Sequence, residues 1–294
     1  MNQPNQRQDM AVRAMTNDGS FRVIAIRTTD TARQAILKHE DLQLSSDRKL
    51  LAELLTGAVL VRQTMAPQHR VQVILRQGQS SPVQIVVDAF PEGLTRGLMQ
   101  KPEGSEQEPF AYGPDNLLQV MRVLFNNELQ QGIVHAPAMG GISQALTDYM
   151  LQSEQVASAI DVASVMNDAG DVVSAGGFIV QMLPEAKEET IAIMLEKLEQ
   201  REALATTLGR EGMSPRQIIG ELLGDLEHTF LGDEEVFYGC TCSELKLVSA
   251  MATLGTEEIE RIIEDGEVMD VTCDYCSTHY KIGPEQLRPL LSVQ

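Results

Sequence analysis

Tryptophan is absent from this chain of 294 residues, and aromatic residues make up only 4% of it. With so few rings, the chain has little from which to build a stacking platform for nucleic-acid bases. Basic residues are scarce as well, 23 against 42 acidic ones, which gives a formal net charge of −19 at pH 7. A field of that sign repels phosphate backbones and anionic lipid heads, so we expect neither nucleic acid nor a membrane surface as a partner.

The chain also lacks a run of about 18 apolar residues, so no segment is predicted to span a bilayer. Its first ten residues, MNQPNQRQDM, are polar and predict no secretory signal. These features together predict a cytoplasmic protein, in which reducing conditions keep thiols free. Clustered cysteines in such a protein indicate metal binding or redox chemistry rather than structural disulfides.

Sequence motifs of common catalytic sites are missing too: we find no Ser-His-Asp order, no HExxH and no GxSxG. Glycine pairs occur at Gly140-Gly141 and at Gly176-Gly177, and neither pair fits a P-loop. Close backbone packing is the favoured interpretation of these glycines, and a site for a phosphorylated ligand is the weaker alternative. The sequence therefore predicts that the protein is not an enzyme.

The patterns of apolar residues predict an α+β fold with four parts. Residues 1–19 are predicted to be a flexible tail, and residues 20–184 a sheet-rich core domain with helices on a face. Residues 185–235 are acidic and contain two helical patterns, one near Glu188–Leu208 and one from Ser214-Pro215 to about Glu227. Glycines punctuate the stretch and weaken its helices. We interpret this stretch as a metastable helical linker, although an ordinary exposed helical hairpin fits the pattern equally well. Residues 236–294 are predicted to form a small C-terminal domain, in which Ser243 and Thr256 each cap a helix and His279–Ile282 is a strand.

All four cysteines of the chain lie in that last domain, as Cys240-x-Cys242 and Cys273-x-x-Cys276. Two close pairs at this distance can supply four thiolates to one tetrahedral zinc ion. They can also close into two short disulfides, Cys240–Cys242 and Cys273–Cys276, if the metal leaves. His279 could be a spare ligand, but with four cysteines at hand it is predicted to be a strand residue.

The domain around the cysteines is too small to hold a firm core unaided. A structural zinc ion would stabilise it by about 10–16 kcal/mol, so loss of the metal should unfold it. Zinc also holds thiols as thiolates, the form that oxidants attack. A redox switch is therefore the sharper hypothesis, and a binding or scaffold protein with an inert structural zinc module is the alternative.

The segment from Cys240-Thr241-Cys242-Ser243 to Cys273-Asp274-Tyr275-Cys276 resembles the redox-switch domain of the thirty-three-kilodalton heat-shock protein family, the redox-regulated holdase chaperones of bacteria. The match holds cysteine for cysteine. The resemblance continues at Arg22–Ala35, at Ser153-Glu154-Gln155 and at Ala175–Pro184.

Two stretches depart from the family pattern. Ala157 stands where the family usually has a proline, and Val120–Gln131 lacks the family's glycine-rich turn. Both departures lie in the predicted core domain, so they concern its surface and leave the cysteines intact.

The resemblance implies a mechanism. The reduced protein would hold one zinc ion on Cys240, Cys242, Cys273 and Cys276 and be inactive. Peroxide combined with unfolding heat, or hypochlorous acid, would oxidise Cys273 and Cys276 first; zinc would leave, and Cys240 and Cys242 would close. The zinc-binding redox-switch domain and the linker would then unfold and capture unfolding client proteins without ATP. The oxidised form would tend to dimerise.

Client binding in this scheme depends on apolar surface that unfolding uncovers. The predicted helices of the linker have apolar faces that such unfolding would expose. The candidate client-binding residues are Ile191, Leu195, Leu198 and Leu222.

Overall fold

The computed structural model describes residues 8–124, 126, 128–210 and 213–292. The chain divides into two compact units, the first ending at Gly239 and the second beginning at Cys240. Helices and antiparallel strands occur in both units, so the predicted α+β class is confirmed.

The strands of the first unit form two sheets. They are β1 Met10–Thr16, β2 Phe21–Arg27, β3 Arg70–Arg76, β4 Gln84–Ala89, β5 Leu94–Gln100, β6 Leu117–Val123, β7 Leu129–His135, β8 Ser158–Met166, β9 Val172–Met182, β10 His228–Glu235 and β11 Phe237–Tyr238. A five-stranded sheet has the order β10-β1-β2-β9-β8, and a six-stranded sheet has the order β11-β5-β4-β3-β6-β7. Neighbouring strands are antiparallel except β11 and β5, which are parallel.

One helix lies between the two sheets. The helices of this unit are α1 Thr29–Leu37, α2 Ser45–Gln63, α3 Gly141–Gln152, α4 Glu188–Gln200, α5 Leu204–Gly209 and α6 Pro215–Leu223. Helix α2 contacts strands of both sheets, and its side chains Leu51, Leu54 and Leu60 are fully buried. A helix that is apolar on most sides is stable only inside a core. The main core of the first unit is therefore built around α2.

Both faces of the five-stranded sheet are buried. On β2, Ile24 and Ile26 pack in the main core with α2, whereas Val23 and Ala25 pack in a second cluster with residues of α4, α5 and α6. Successive residues of a strand point to opposite faces, so this alternation assigns one face to each core. The three helices after β9 thus cover the sheet face that α2 does not.

The predicted flexible tail is wrong for Met10–Thr16, which forms β1. This strand pairs with β10 on one side and β2 on the other, and Ala11 and Val12 are buried in cores on opposite faces of the sheet. The tail was predicted from the polar residues that precede β1, but pairing on both sides fixes the strand itself. Residues 1–7 of the predicted tail lie outside the described residues.

The segment 185–235, predicted as a helical linker, contains α4, α5, α6 and the unpredicted strand β10. The single long helix predicted at its start is divided into α4 and α5. At the break, the Arg201 side chain donates to Asp161 at 2.5 Å and lies over the Phe178 ring, which ties the chain to the sheet. That the segment is metastable stays a prediction.

The boundary of the C-terminal part falls four residues later than predicted, at Cys240 instead of residue 236. Val236 is buried in the main core, and β11 pairs with β5. These contacts hold 236–239 in the first unit.

The second unit is small. Its elements are α7 Glu244–Met251, α8 Thr256–Glu264, β12 Met269–Thr272, β13 His279–Ile282 and α9 Pro284–Leu287. Short 3₁₀ turns lie at Ala252–Leu254 and Arg288–Ser292, and the first unit has one at Pro91–Gly93. The Ser243 hydroxyl caps α7 as predicted, accepting from the Lys246 amide at 3.3 Å. Gly255, not Thr256 as predicted, is the N-cap of α8.

Among the described helices, none combines the length and the apolar character that a bilayer crossing requires.

The carboxyl of Glu53 on α2 makes stability depend on pH. Burial raises its pKa from 4.5 to about 7, against the opposing effects of Lys49 and Ser164. Between those pH values the folded state keeps a proton that the unfolded state releases, so this contribution to stability is lost as pH rises through about 7. We expect Glu53→Gln to be more stable than the wild type at pH 8 by about 2–3 kcal/mol.

Urea unfolding of both proteins at pH 5 and pH 8 checks this expectation, because the difference between them isolates the carboxyl. An equal difference at both pH values would contradict it.

Candidate metal centre

The two cysteine pairs lie on segments of different kinds. Cys240 and Cys242 lie outside regular secondary structure, just before Ser243, the N-cap of α7. Cys273 and Cys276 lie in the turn that joins β12 to β13. The Cys273 amide donates to the Thr278 carbonyl at 3.0 Å, and the Ser277 amide donates to the Cys273 carbonyl at 2.8 Å. The turn therefore holds both of its sulfurs on one side of the hairpin end, close to the first pair.

The four sulfurs converge at one point. Cys240 Sγ lies 3.8 Å from Cys273 Sγ, and Cys242 Sγ lies 3.4 Å from Cys276 Sγ. All four Sγ atoms are within 4.8 Å of one another, and none is in a disulfide. Zinc–sulfur bonds of about 2.3 Å in a tetrahedron require sulfurs about 3.8 Å apart. The predicted ligand set therefore fits a tetrahedral zinc ion.

The surroundings of the sulfurs affect the four thiols unequally. Burial raises the pKa of Cys273 to about 12. Burial also acts to raise the pKa of Cys276, but hydrogen bonds from the Thr278 hydroxyl and amide and from the neighbouring thiols lower it to about 7. A bound dication favours the thiolate form at all four positions.

Tyr280 is a neighbour of the site that the sequence did not single out. Its hydroxyl lies 3.2 Å from Cys242 Sγ, and this contact is the largest cause that raises the tyrosine pKa to about 12. The alternation of side chains along β13 could have pointed to Tyr280, because residues two apart in a strand share a face.

His279, considered as a spare ligand, is a strand residue of β13, as predicted. Its ring lies 3.1 Å from the Thr272 hydroxyl and 3.4 Å from an Asp270 oxygen, and the side chain is 69% exposed. It is not part of the cysteine cluster.

The apolar core around this site is small. Its fully packed side chains are Val248, Ile259, Ile262, Ile282 and Leu287. A unit of this size gains too little from apolar burial to offset the entropy of ordering its chain. A metal ion held by the four cysteines would cross-link the segment before α7 to the hairpin and supply what the core lacks.

The four candidate client-binding residues lie on the helices that cover the five-stranded sheet. Leu222 of α6 is 5% exposed, Ile191 and Leu198 of α4 are partly buried, and Leu195 is 55% exposed. The sequence-based prediction did not include the most deeply buried side chains of the helices that cover the sheet. They are Met194, Leu204, Leu208, Ile218, Ile219 and Leu223.

The glycine pair Gly176-Gly177 is explained by packing inside β9. A Cβ atom would lie 2.6 Å from the Ile26 carbonyl oxygen at the first position and 2.7 Å from the Asp161 carbonyl oxygen at the second. Strand pairing on both sides leaves no room for one, which accounts for these glycines without a ligand.

Comparison with known proteins identifies the family to which this chain belongs. A family model described as Hsp33 protein matches residues 9–283. The chain belongs to the Hsp33 family. Proteins named 33 kDa chaperonin from Bacillus cereus (strain AH187) and Bacillus anthracis (strain A0248) are each 31% identical to it, covering 97% of this chain and 99% of theirs. The family resemblance seen in the sequence is thus confirmed.

A solved Hsp33 structure has the same fold. The crystal structure of the 33 kDa chaperonin from Thermotoga maritima superposes with a TM-score of 0.80, covering 97% of this chain and 98% of that one, at 23% sequence identity. The arrangement of sheets and helices described above is therefore that of the Hsp33 fold.

Proposed function

We propose that this protein is a redox-regulated, ATP-independent holdase chaperone, activated by oxidation of zinc-bound cysteines. The observation that carries the proposal is the convergence of four cysteine sulfurs within 4.8 Å in a member of the Hsp33 family. Relatives that carry the name 33 kDa chaperonin support unfolded or partly folded proteins as its clients.

In the reduced state, Cys240, Cys242, Cys273 and Cys276 hold one zinc ion per chain as thiolates. The ion cross-links segments of a unit whose own core is small, so the folded state of that unit depends on all four ligands.

Oxidation begins at Cys273 and Cys276. Their two thiolates lose two electrons as the S–S bond forms, while the O–O bond of hydrogen peroxide breaks and its oxygens take up two protons from solvent, so that two water molecules form. A second peroxide closes Cys240 and Cys242 in the same way. Metal binding requires thiolates, so the site no longer holds zinc and the second unit unfolds.

Unfolding of the linker then creates the client-binding surface. Helices α4, α5 and α6 bury one face of the five-stranded sheet, including Val23, Phe178 and Val180. Each such side chain contributes about 1.5–3 kcal/mol on burial, so uncovered it is available to apolar segments of a client. The same step exposes Ile191, Leu198 and Leu222, and frees the already half-exposed Leu195 from its helix. These four linker residues are proposed to bind clients.

The remaining properties follow from this role. A net charge of −19 keeps a partly unfolded chaperone in solution and disfavours nucleic acid and membrane partners. The proposal places the protein in the cytoplasm, where it responds to oxidative stress, assigns it no enzymatic activity, and allows a homodimer in the oxidised state.

The test is suppression of light scattering by a chemically unfolded client, with zinc release followed in the same samples. We expect the reduced, zinc-loaded protein to give no protection and the peroxide-treated protein to protect and to release one zinc per chain. Cys273→Ser should alter this regulation, since the first disulfide cannot form, whereas Ser277→Ala in the same turn should behave as the wild type.

Zinc release without protection, or protection that does not depend on oxidation, would contradict the switch. Either result would favour the alternative, a binding or scaffold protein with an inert structural zinc module.

A further inference from the structure

A cleft of about 730 Å³ opens in the first unit beside the C-terminal end of α2. Three basic side chains line it, Arg22, His69 and Arg122, together with apolar side chains that include three methionines, Met65, Met150 and Met182. Segments that carry the sequence resemblance, at Arg22, at Glu154-Gln155 and at Leu183-Pro184, also meet here. The redox mechanism uses none of these basic groups.

The charge of Arg22 is not compensated by any carboxylate of the residues that the structure describes. Its guanidinium donates only to neutral oxygens, the Gln181 side chain at 2.9 Å and the Thr64 carbonyl at 3.3 Å. No ion pair found among the described residues includes Arg22. Burial lowers its pKa, and the charge of the nearby Arg13 lowers it further.

Two further polar atoms at the cleft are unsatisfied. His69 Nδ1 and Arg122 Nε are buried and have no hydrogen-bond partner. A buried polar group without a partner costs free energy that a ligand can recover. Arg122 Nε and Arg22 therefore leave the cleft short of acceptors and of negative charge, while His69 Nδ1 can donate or accept according to its tautomer.

The one carboxylate that lines the cleft does not meet this need. Glu154 accepts from the Tyr149 hydroxyl at 2.5 Å and pairs with Arg122 at 3.4 Å. Glu154 therefore neutralises the charge of Arg122 but not that of Arg22. This leaves Arg22 for an anion from outside the chain.

We propose that this cleft binds a small amphipathic carboxylate, a linear aliphatic acid whose carboxylate pairs with Arg22 and whose chain lies among the methionines. Methionine side chains are flexible and polarizable and adapt to aliphatic groups of different length. A guanidinium recognises a carboxylate through paired hydrogen bonds. Because the net charge of −19 opposes anions in general, this local cation makes the cleft selective.

Calorimetric titration of the reduced full-length protein with octanoate tests the proposal. We expect one saturable site with a dissociation constant below about 1 mM. Acetate, which lacks the chain, and octanol, which lacks the charge, should each bind at least about tenfold more weakly. Arg22→Gln should weaken octanoate binding about tenfold to a hundredfold, the usual contribution of a charged hydrogen bond.

Leu151→Glu is a second variant, at an exposed position of the cleft. Leu151 lines the cleft and is 58% exposed, so a glutamate there adds a negative charge beside the proposed anion. It should weaken octanoate binding, whereas Arg261→Gln, which changes an exposed arginine outside the cleft, should not.

Absence of octanoate binding, equal binding of octanol, or octanoate binding that Leu151→Glu leaves unchanged would overturn the proposal. If Arg22→Gln does not fold, Leu151→Glu decides. Since the heat of binding is measured without any client, failure here is distinct from failure of the holdase function.

Discussion

Removal of the metal from the reduced protein is expected to unfold residues 240–292 and to leave the first unit folded. A structural zinc ion contributes about 10–16 kcal/mol, far more than a core of this size can replace. The first unit has its own core around α2, in which Leu51, Leu54 and Leu60 are fully buried, and no part of the cysteine cluster lies in it.

Hydrogen exchange measured by mass spectrometry, with and without a chelator, follows the two units separately. Peptides from α7, α8 and β12 should lose their protection when the metal is removed, and peptides from α2 should keep it. Added zinc should restore the protected state.

Cys276→Ser offers a matched variant, because it removes one ligand with little change of volume. It should lower zinc affinity and loosen the second unit, and Ser277→Ala beside it should do neither. Protection of α8 that persists in the metal-free protein would show that the cysteines are not the cross-link of this unit.

The second large effect is expected from Ile219→Ala, which should activate the chaperone without an oxidant. Ile219 of α6 is 0% exposed and packs against the five-stranded sheet. Loss of such a side chain costs about 2–5 kcal/mol, which weakens the attachment of the linker helices by a factor of about 30 or more. The reduced, zinc-loaded variant should then suppress client aggregation.

Ile219→Val is the control for this variant, since it keeps most of the packing and costs only about 0.5–1.5 kcal/mol. It should remain inactive until oxidised. Light scattering under reducing conditions and hydrogen exchange over 185–235 report the two consequences separately. Faster exchange of the linker without any protection of the client would show that uncovering the sheet face is not sufficient for binding.

Much of the metal site could be predicted from the sequence because its signals are local. The spacing of Cys273 and Cys276 fits a tight turn between two strands, and β13 lies where it was predicted, at His279–Ile282. The Ser243 cap of α7 depends on residues three positions apart. Such features are decided within a few residues, so neighbouring residues are enough to predict them.

Sequence patterns predicted less wherever the partner of a segment lies far away in the chain. Strand β1 is held by β10, with Ala11 opposite Glu234, and neither segment has a pattern strong enough to predict a strand by itself. The packing of α4, α5 and α6 on the five-stranded sheet likewise depends on partners far away in the chain. These helices were predicted, but which side chains face the sheet was not, so the more deeply buried Met194 and Ile219 were missed in favour of Leu195.

By itself, then, the sequence determined the α+β class, the set of four cysteines that the fold brings together and the acidic charge of the chain. The tertiary structure alone decided that residues 10–16 and 228–235 complete a sheet and that the linker helices bury its outer face. It also decided that Arg22 lies in a cleft without a carboxylate partner. The physical reason is the range of the interactions: turns and caps are satisfied by neighbours in sequence, whereas sheet pairing, apolar burial and charge compensation depend on residues that only folding brings together.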